Sequence, residues 1–474
     1  MANDMIIAVP GSGKTSYIAN AINKSIVEGT DPDSIFAITF TRKAAEELKK
    51  RCHKDIHAST IHSLAYYIIN GKLDYENSNN LFYYDNILKE ALAKKDMFRA
   101  NLLAIDEAQD LSLHQYNLVK ELCGLARDVV IVGDYKQSIY SFNGGDPKFM
   151  DRLKSDIESI NISSLNITYR IPEEIASYVN RVFKPNVKLK AITPGGEVNI
   201  HSTPISNMYS TALSESKDNT AILVRTNYEV MKLVRLAKSN EYDVNYTIPV
   251  KEHPFIMFTS AIVNLKKGVR LHDFVKASAI VGGFSYSTGR MLKGLPNLYI
   301  TTATLDDITN NTGDVVLTTT GRKEISNFIS TINMYSKFYG MSTRDEIYSL
   351  LHKLLHDGYV IDSIWGELSK ELDIMVDYII DITNNNIDPH YIVDNKASRS
   401  IMTTHSSKGK EFDNVSLLIN TKNINIFDEE EMRVAYVGCT RSKKTLDIFI
   451  NETYNVDRSR VSLVNMINEA MEIL

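Results

Sequence analysis

Met5-Ile6-Ile7-Ala8-Val9-Pro10-Gly11-Ser12-Gly13-Lys14-Thr15 sits near the start of the chain, and its reading decides the fold. Met5–Val9 is a short apolar run of strand length, and Ile18, Ala19, Ile22 and Ile26 then recur at helical spacing. A glycine-bearing turn between a buried strand and a helix is the context that a phosphate-binding loop requires. Its glycines let backbone N–H groups close around a phosphate, and the helix N-terminus adds positive potential. Lys14 is placed to reach β- and γ-phosphates, and Thr15 to offer a hydroxyl to Mg²⁺. The first glycine of the usual motif is Ala8 here.

Outward from that turn, short β-branched runs alternate with amphipathic stretches, the pattern of βαβ units around a parallel sheet. Strands are expected at Ile35–Thr39, Leu102–Ile105, Val129–Val132 and near Leu165–Thr168. A helix from Ala44 carries i,i+4 pairs Glu46/Lys50 and Glu47/Arg51. Pro185–Gly196, containing Thr-Pro-Gly-Gly, breaks the pattern. Strands resume at Val198–His201, Ala221–Val224 and Val244–Thr247, with a helix at Tyr228–Ser239. From about Gly268 to Ser398 the pattern is mainly helical, and strands return at Ile401–Thr404, Val415–Ile419 and Leu446–Ile450. Two α/β lobes, each interrupted by an insertion, fit this order.

The bulk composition agrees with such a chain. Its 474 residues are 43% hydrophobic and 23% charged, which excludes disordered, collagen-like and disulfide-scaffold classes. No apolar stretch approaches the ~20 residues of a membrane span, and the start lacks the basic leader of a signal peptide. Cys52, Cys123 and Cys439 lie far apart, so neither a disulfide framework nor a structural zinc site is indicated. A reducing, cytoplasmic setting is expected, the host-cell cytoplasm if the source is viral. The net charge of −5 excludes a wholly basic nucleic-acid coat but leaves room for local positive tracks.

Asp106-Glu107-Ala108-Gln109-Asp110 follows the strand Leu102–Ile105. A carboxylate at such a strand end points into the ligand crevice of an open α/β sheet. Asp106 suits the metal that Thr15 also binds, and Glu107 suits proton acceptance from an attacking water.

With Val132-Gly133-Asp134-Tyr135-Lys136-Gln137-Ser138-Ile139-Tyr140-Ser141-Phe142, these residues resemble the UvrD/Rep/PcrA group of superfamily 1 helicases. Further segments match in the family's order. They are Ala37–Ala45 (motif Ia), Ser59–Ser63 (Ib), Asn166–Arg170 (IV), Met402–Phe412 (V) and Arg433–Arg441 (VI). The resemblance spans both lobes and is weak to absent at about 64–99 and 268–398. It implies an α/β chain of two RecA-like P-loop lobes with parallel sheets, each carrying an inserted, mainly helical subdomain. Residues 1–63 and 100–190 would form the first lobe and 64–99 its insertion; 191–267 and 399–474 would form the second lobe and 268–398 its insertion.

Site roles follow from the same resemblance. Ala8, Val9, Pro10, Gly11, Ser12, Gly13, Lys14 and Thr15 would cradle the triphosphate of ATP, with Mg²⁺ on Thr15 and Asp106. Glu107 would activate water and Gln137 would sense the γ-phosphate. Tyr169 would stack on adenine, Arg170 and Arg441 would reach the γ-phosphate, and Glu411 would contact the nucleotide from the second lobe. Phe40, Tyr140 and Phe142 would meet unstacked bases, and Thr41, Thr60, His62, Thr404 and His405 would line the strand's path. Physical chemistry supports such roles, because an arginine brought to a transferring phosphoryl group accelerates hydrolysis by roughly 10³–10⁵. Stacked aromatics read bases without sequence preference, at about 1–3 kcal/mol each. The bland use of either arginine is a surface ion pair.

Some positions depart from the family's pattern. Lys410 stands where an apolar residue is usual, and Arg42 where asparagine is usual; both add positive charge near the expected track. The chain starts almost at its first strand, ahead of which the family carries a glutamine that contacts adenine, so loose nucleobase selectivity is expected. The function expected is an ATP-dependent single-stranded DNA translocase and helicase, with 3′→5′ polarity resting on resemblance alone. Alternatives are a translocase that strips proteins and unwinds poorly, and a nucleotide-switched DNA clamp. Expected partners are single-stranded DNA and tailed duplex DNA, with replication or repair proteins as candidates. No membrane and no structural metal are expected.

Overall fold

A computed structural model describes residues 3–70, 81–141, 144–247, 398–421, 428–451 and 467. The chain divides into two compact units, residues 1–225 with 398–474, and residues 226–397. The first unit holds the phosphate-loop turn and nearly every strand expected from the sequence.

In its N-terminal part, β1 (Asn3–Ala8) leads through the loop into α1 (Lys14–Val27), followed by β2 (Ile35–Thr39) and α2 (Arg42–Arg51). Then come β3 (His57–Thr60), α3 (Ile61–Asn70), α4 (Leu81–Ala93), β4 (Ala100–Ile105), α5 (Leu113–Leu125), β5 (Ala126–Gly133), α6 (Lys148–Asp156) and β6 (Ile160–Leu165). The strands form a parallel sheet ordered β3-β2-β4-β5-β1-β6. Every residue of β2 is buried, as are the last four of β4 and the last six of β5. Parallel strands covered on both faces read as continuous apolar runs, which is why these were visible in sequence. One face packs Ile18, Ala19 and Ile22 of α1 and Leu48 of α2 against Ile6, Leu102 and Val130. The other packs α3 and α4, through Leu64, Ala65, Ile68, Ile87, Leu88 and Ala91, onto Leu103, Ile105 and Ile131. The described part of the expected 64–99 insertion therefore shares the core of the sheet.

Two strands of the large sheets escaped the sequence reading, and both lie at sheet edges. β3, His-Ala-Ser-Thr, lacks an apolar run. The strand expected near Leu165–Thr168 is two elements, with β6 ending at Leu165 and β7 (Ile167–Thr168) pairing instead with β8 (Lys190–Ala191). The interior residues of β6 are exposed, so no hydrophobic signal marked its true start at Ile160.

Beyond β7, α7 (Glu173–Phe183) begins directly after Pro172. Its buried face, Ile175, Val179, Val182 and Phe183, shares a cluster with Leu223, Val415, Leu446 and Ile448 of the second sheet. By packing, α7 thus belongs with the second lobe, although the sequence reading placed residues up to 190 in the first. β9 (Glu197–Thr203), α8 (Ile205–Glu215) and β10 (Thr220–Val224) follow. α9 (Asn227–Ser239) and β11 (Val244–Thr247) belong to the other unit. The chain is described again at β12 (Arg399–Thr403), β13 (Phe412–Ile419), α10 (Glu429–Cys439) and β14 (Ser442–Asn451). Within the first unit the second parallel sheet runs β12-β10-β13-β14-β9. The helical insertion expected at 268–398 lies outside the described residues, apart from Ser398.

Candidate nucleotide and nucleic-acid site

Consecutive parallel strands deliver their C-terminal ends to one edge of a sheet, and the candidate residues of the first lobe collect there. After β1, Gly11 (φ 71°) and Gly13 (φ 83°) take left-handed backbone that disfavours side chains. Gly11 is also hemmed in: a Cβ there would lie 2.5 Å from Arg170 Cβ and 2.9 Å from Thr168 Oγ1. The Tyr169 N–H donates to the Gly11 carbonyl at 2.9 Å, tying the expected motif IV segment to the loop. Gly13 caps α1, whose free N–H groups face the loop.

Lys14 is nearly buried, its Nζ 3.6 Å from Glu107 Oε2 and 3.5 Å from Gln137 Oε1. Thr15 Oγ1 lies 3.5 Å from Asp106 Oδ2. The Glu107 N–H donates to Asp106 Oδ1 at 2.9 Å, and Gln109 Nε2 donates to Glu107 Oε2 at 2.6 Å. Gln137 Nε2 donates to Asp134 Oδ2 at 3.0 Å, while the Asp134 N–H donates to Gln109 Oε1 at 2.9 Å. Glutamines thus join the β4 and β5 loops into one network behind Lys14.

Adjacent carboxylates in this network are driven apart. Burial, then the neighbouring Glu107 charge, raise Asp106 far above the usual carboxylate range. Burial also works against the Glu107 carboxylate, but the Lys14 and Lys408 ammonium groups and the Gln109 hydrogen bond outweigh it and hold Glu107 low. Neighbouring carboxylates, one buried and one mostly so, do not ionise independently. Burial pushes Asp110 up to about 6, with Lys408 offsetting only part of that cost.

The second lobe brings its charges to the same place. Arg441 is 1% exposed, and its guanidinium donates to the Val437 carbonyl (2.9 Å), the Lys410 carbonyl (3.3 Å) and Thr440 Oγ1 (3.3 Å). Burial and then Arg170 lower it to about 9, and Glu107 acts in the opposite sense. Arg170 Nε donates to Glu411 Oε2 at 3.0 Å. Arg170 therefore does make the ion pair considered as the bland alternative, but beside the phosphate loop rather than on a remote surface. Tyr169 is 65% exposed next to that loop.

A triphosphate fits what the loop leaves open. Ser12 Oγ is buried without a hydrogen-bond partner, an unsatisfied donor within the cradle. Thr15 and Asp106 offer hard oxygen donors of the kind Mg²⁺ takes while phosphates and water complete its shell. Among the described residues no group of three or more His, Cys, Asp or Glu side chains is arranged to hold a metal.

Further along the same edge, Phe40 at the end of β2 stacks on Tyr140, with ring centroids 4.8 Å apart and planes at 19°. His405 approaches Tyr140 edge-on at 6.2 Å, and its Nε2–H donates to the Ile139 carbonyl at 2.9 Å. Burial, then Arg225, lower His405 to about 4, so the ring is neutral at pH 7. Burial lowers His62 as well. Phe40, Tyr140 and His405 are thus brought together. Thr404 is not available to a strand: it is 1% exposed, and its hydroxyl donates to the Val224 carbonyl. Thr41 and Thr60 act locally, Thr41 Oγ1 accepting from the Ala44 N–H and Thr60 Oγ1 bonding Ser63 at the start of α3. Phe142 lies outside the described residues.

Sequence reading missed the groups that lock the lobes together. Lys408 pairs with Asp110, Arg433 Nε donates to the Ser138 carbonyl at 2.6 Å, and the Ser141 N–H donates to Glu430 Oε1 at 3.3 Å. Asp110 and Lys408 both stand in charged, polar stretches, Asp106–Asp110 and His405–Glu411, so neither is marked out locally as half of a pair.

Two domain families match this chain: residues 2–143 an AAA domain, and residues 318–453 the UvrD-like helicase C-terminal domain. Similar curated proteins include an ATP-dependent DNA helicase Rep of Buchnera aphidicola subsp. Acyrthosiphon pisum (strain APS). It is 25% identical, with 93% of this chain and 91% of that protein covered. The Gabija protein GajB of Bacillus cereus (strain VD045) is 24% identical, with 96% and 94% covered. The ATP-dependent DNA helicase PcrA of Bacillus subtilis (strain 168) is 22% identical, with 93% and 80% covered.

Proposed function

The chain belongs to the UvrD/Rep/PcrA-like superfamily 1 helicases, and from that premise we propose that it is an ATP-driven motor on single-stranded DNA that separates duplex strands in the 3′→5′ direction. The observation that carries the reading is a convergence of charge. Lys14, Asp106, Glu107 and Gln137 from one parallel sheet meet Arg170 and the buried Arg441 across the phosphate loop.

ATP bound with Mg²⁺ supplies a phosphoanhydride whose hydrolysis builds charge on the transferring oxygens. Loop N–H groups, Ser12 and Lys14 would hold the phosphates, and Thr15 and Asp106 would hold the ion. Glu107, kept ionised by Lys14 and Lys408, takes the proton of the attacking water. Arg170 exchanges Glu411 for the terminal phosphate, and Arg441 adds charge from the second lobe. Because the positive groups come from both lobes, closure responds to nucleotide state, and that converts hydrolysis into relative movement. Gln137 begins the segment that ends at Tyr140, so the same few residues run from phosphate to the Phe40–Tyr140 stack.

The test is ATP hydrolysis with and without single-stranded DNA, alongside strand separation on 3′-tailed and 5′-tailed duplexes. Stimulation with 3′-tail preference is expected. Hydrolysis indifferent to DNA would refute the motor, and a 5′-tail preference would refute the polarity.

A further inference from the structure

Between the phosphate loop and the aromatic stack lies a buried ion pair to which the mechanism above gives no mechanical part. Lys408, from the loop after β12, pairs with Asp110, from the loop after β4. The two side chains are 9% and 0% exposed. Lys408 Nζ also donates to the Gln137 carbonyl at 2.8 Å and lies 4.8 Å from the centre of the Tyr140 ring. Asp110 in turn accepts from Gln109 Nε2 at 3.4 Å, the amide that donates to Glu107. One ammonium therefore touches a carboxylate bonded toward the water-activating Glu107, the backbone of the phosphate-sensing Gln137, and an aromatic ring stacked on Phe40.

Three features separate this arrangement from an ordinary structural ion pair. The partners come from different lobes, so the contact must be remade or strained whenever the lobes move. The contacts of Lys408 run to both candidate sites at once. Asp110 Oδ1 is buried without a hydrogen-bond partner, so the pair is not a fully satisfied polar knot.

We infer that Lys408, held by Asp110, is the positioning residue through which nucleic-acid contact at Tyr140 and nucleotide contact at Glu107 and Gln137 sense one another. The inference rests on the motor reading above and assigns the linkage within it to a named side chain. A strand that shifts the Tyr140 ring shifts the ammonium lying against it, and through it the Gln137 carbonyl and the Asp110–Gln109–Glu107 chain. Linkage makes the effect reciprocal: nucleotide alters affinity for the strand by the factor with which the strand alters affinity for nucleotide.

The experiment measures that factor in the full chain. Affinity for the β,γ-imido analogue of ATP, with Mg²⁺, is titrated with and without oligo-dT; affinity for oligo-dT is titrated with and without the analogue. In the wild type the two factors should agree and fall in the range of about 5–150. Lys408→Met should bring both to within about twofold of unity, while oligo-dT alone still binds. It should also cut the ratio of DNA-stimulated to unstimulated hydrolysis by about tenfold, within the range by which single residues shift coupling. Since Lys408→Met leaves Asp110 buried and uncompensated, the double variant Lys408→Met/Asp110→Asn is measured beside it. The double variant should melt closer to the wild type and show the same lost coupling. A wild-type factor retained in either variant overturns the inference, as does an equal loss of both affinities with their ratio unchanged. A factor of one in the wild type itself overturns the inference together with the motor reading.

Discussion

Replacing Gly11 by alanine adds one methyl group where the structure has no room for it. The new Cβ would stand 2.5 Å from Arg170 Cβ, against ordinary carbon–carbon contacts of about 3.5–4.0 Å, so β7 and the residues after it must retreat by about 1 Å. Backbone conformation adds a second cost. At φ 71° an L-residue gives up about 1–2 kcal/mol, and forcing a methyl into packed space costs about 1–3 kcal/mol more. Gly13→Ala separates the two terms. Gly13 has a comparable φ of 83°, but its Cβ would meet only Ser16 Cβ at 3.8 Å, an ordinary contact. Gly13→Ala should therefore lose only the conformational term, and Gly11→Ala the sum of both. Urea unfolding without nucleotide is the assay, read on the transition that added nucleotide raises, since only the unit that binds nucleotide shifts with it. Displacing Arg170 by about 1 Å should also slow hydrolysis by up to about 10²-fold while leaving Lys14 in place for binding. Equal destabilisation by the two alanines would refute the close approach of Thr168–Arg170 to the loop. An unchanged rate in Gly11→Ala would refute the use of Arg170 in the reaction.

Lys14→Ala removes the nearly buried ammonium that faces Glu107 and Gln137 and should abolish hydrolysis while sparing oligo-dT binding; normal turnover would remove the phosphate-loop assignment. Phe40→Ala takes away an exposed ring that stacks on Tyr140 and should weaken single-stranded DNA binding by the equivalent of about 1–3 kcal/mol in a fluorescence titration. Affinity equal to wild type would make the pair packing and no more. His405, lowered to about 4 by burial and then by Arg225, stays neutral in the fold but takes up a proton near 6.5 once unfolded. Its contribution is thus fully present above pH 6.5 and lost as pH falls toward 4, about 3 kcal/mol in all, with His62 acting in the same direction. His405→Gln should flatten the fall in melting temperature between pH 7.5 and 5, and a slope equal to wild type would show that the imidazole is not kept neutral by burial.

Legibility in the sequence followed burial and contiguity. β2, β4, β5 and β10 could be read because strands covered on both faces need unbroken apolar runs. β3 and β6, at the sheet edge and largely polar or exposed, offered no such run. The packing of α7 was hidden for another reason: its apolar stripe says that it is buried, not which sheet buries it. The site divides similarly. Gly11, Lys14, Asp106, Glu107 and Gln137 stand in short motifs whose spacing implies their chemistry. Lys408 and Asp110 are 298 positions apart, and nothing local to either one names the other.

Arg441 joins these two kinds of information. The sequence places an arginine at the end of motif VI, and the resemblance makes it a ligand of phosphate. In the fold its three donated bonds go to Val437, Lys410 and Thr440, all of its own lobe, while its charge acts on Glu107 in the other. A guanidinium held by two carbonyls and a hydroxyl on its own side does not swing alone across a cleft; it arrives only as the lobe arrives. Its position is therefore set by whatever sets the lobes, namely Lys408 on Asp110, Arg433 on the Ser138 carbonyl, and Glu430 at the Ser141 N–H. Residues 137–141 lie at the centre of those contacts and reach both Lys14 and the Phe40 stack. Placing the Arg441 charge beside Glu107 and bringing Phe40, Tyr140 and His405 together are, in this chain, consequences of one set of lobe contacts.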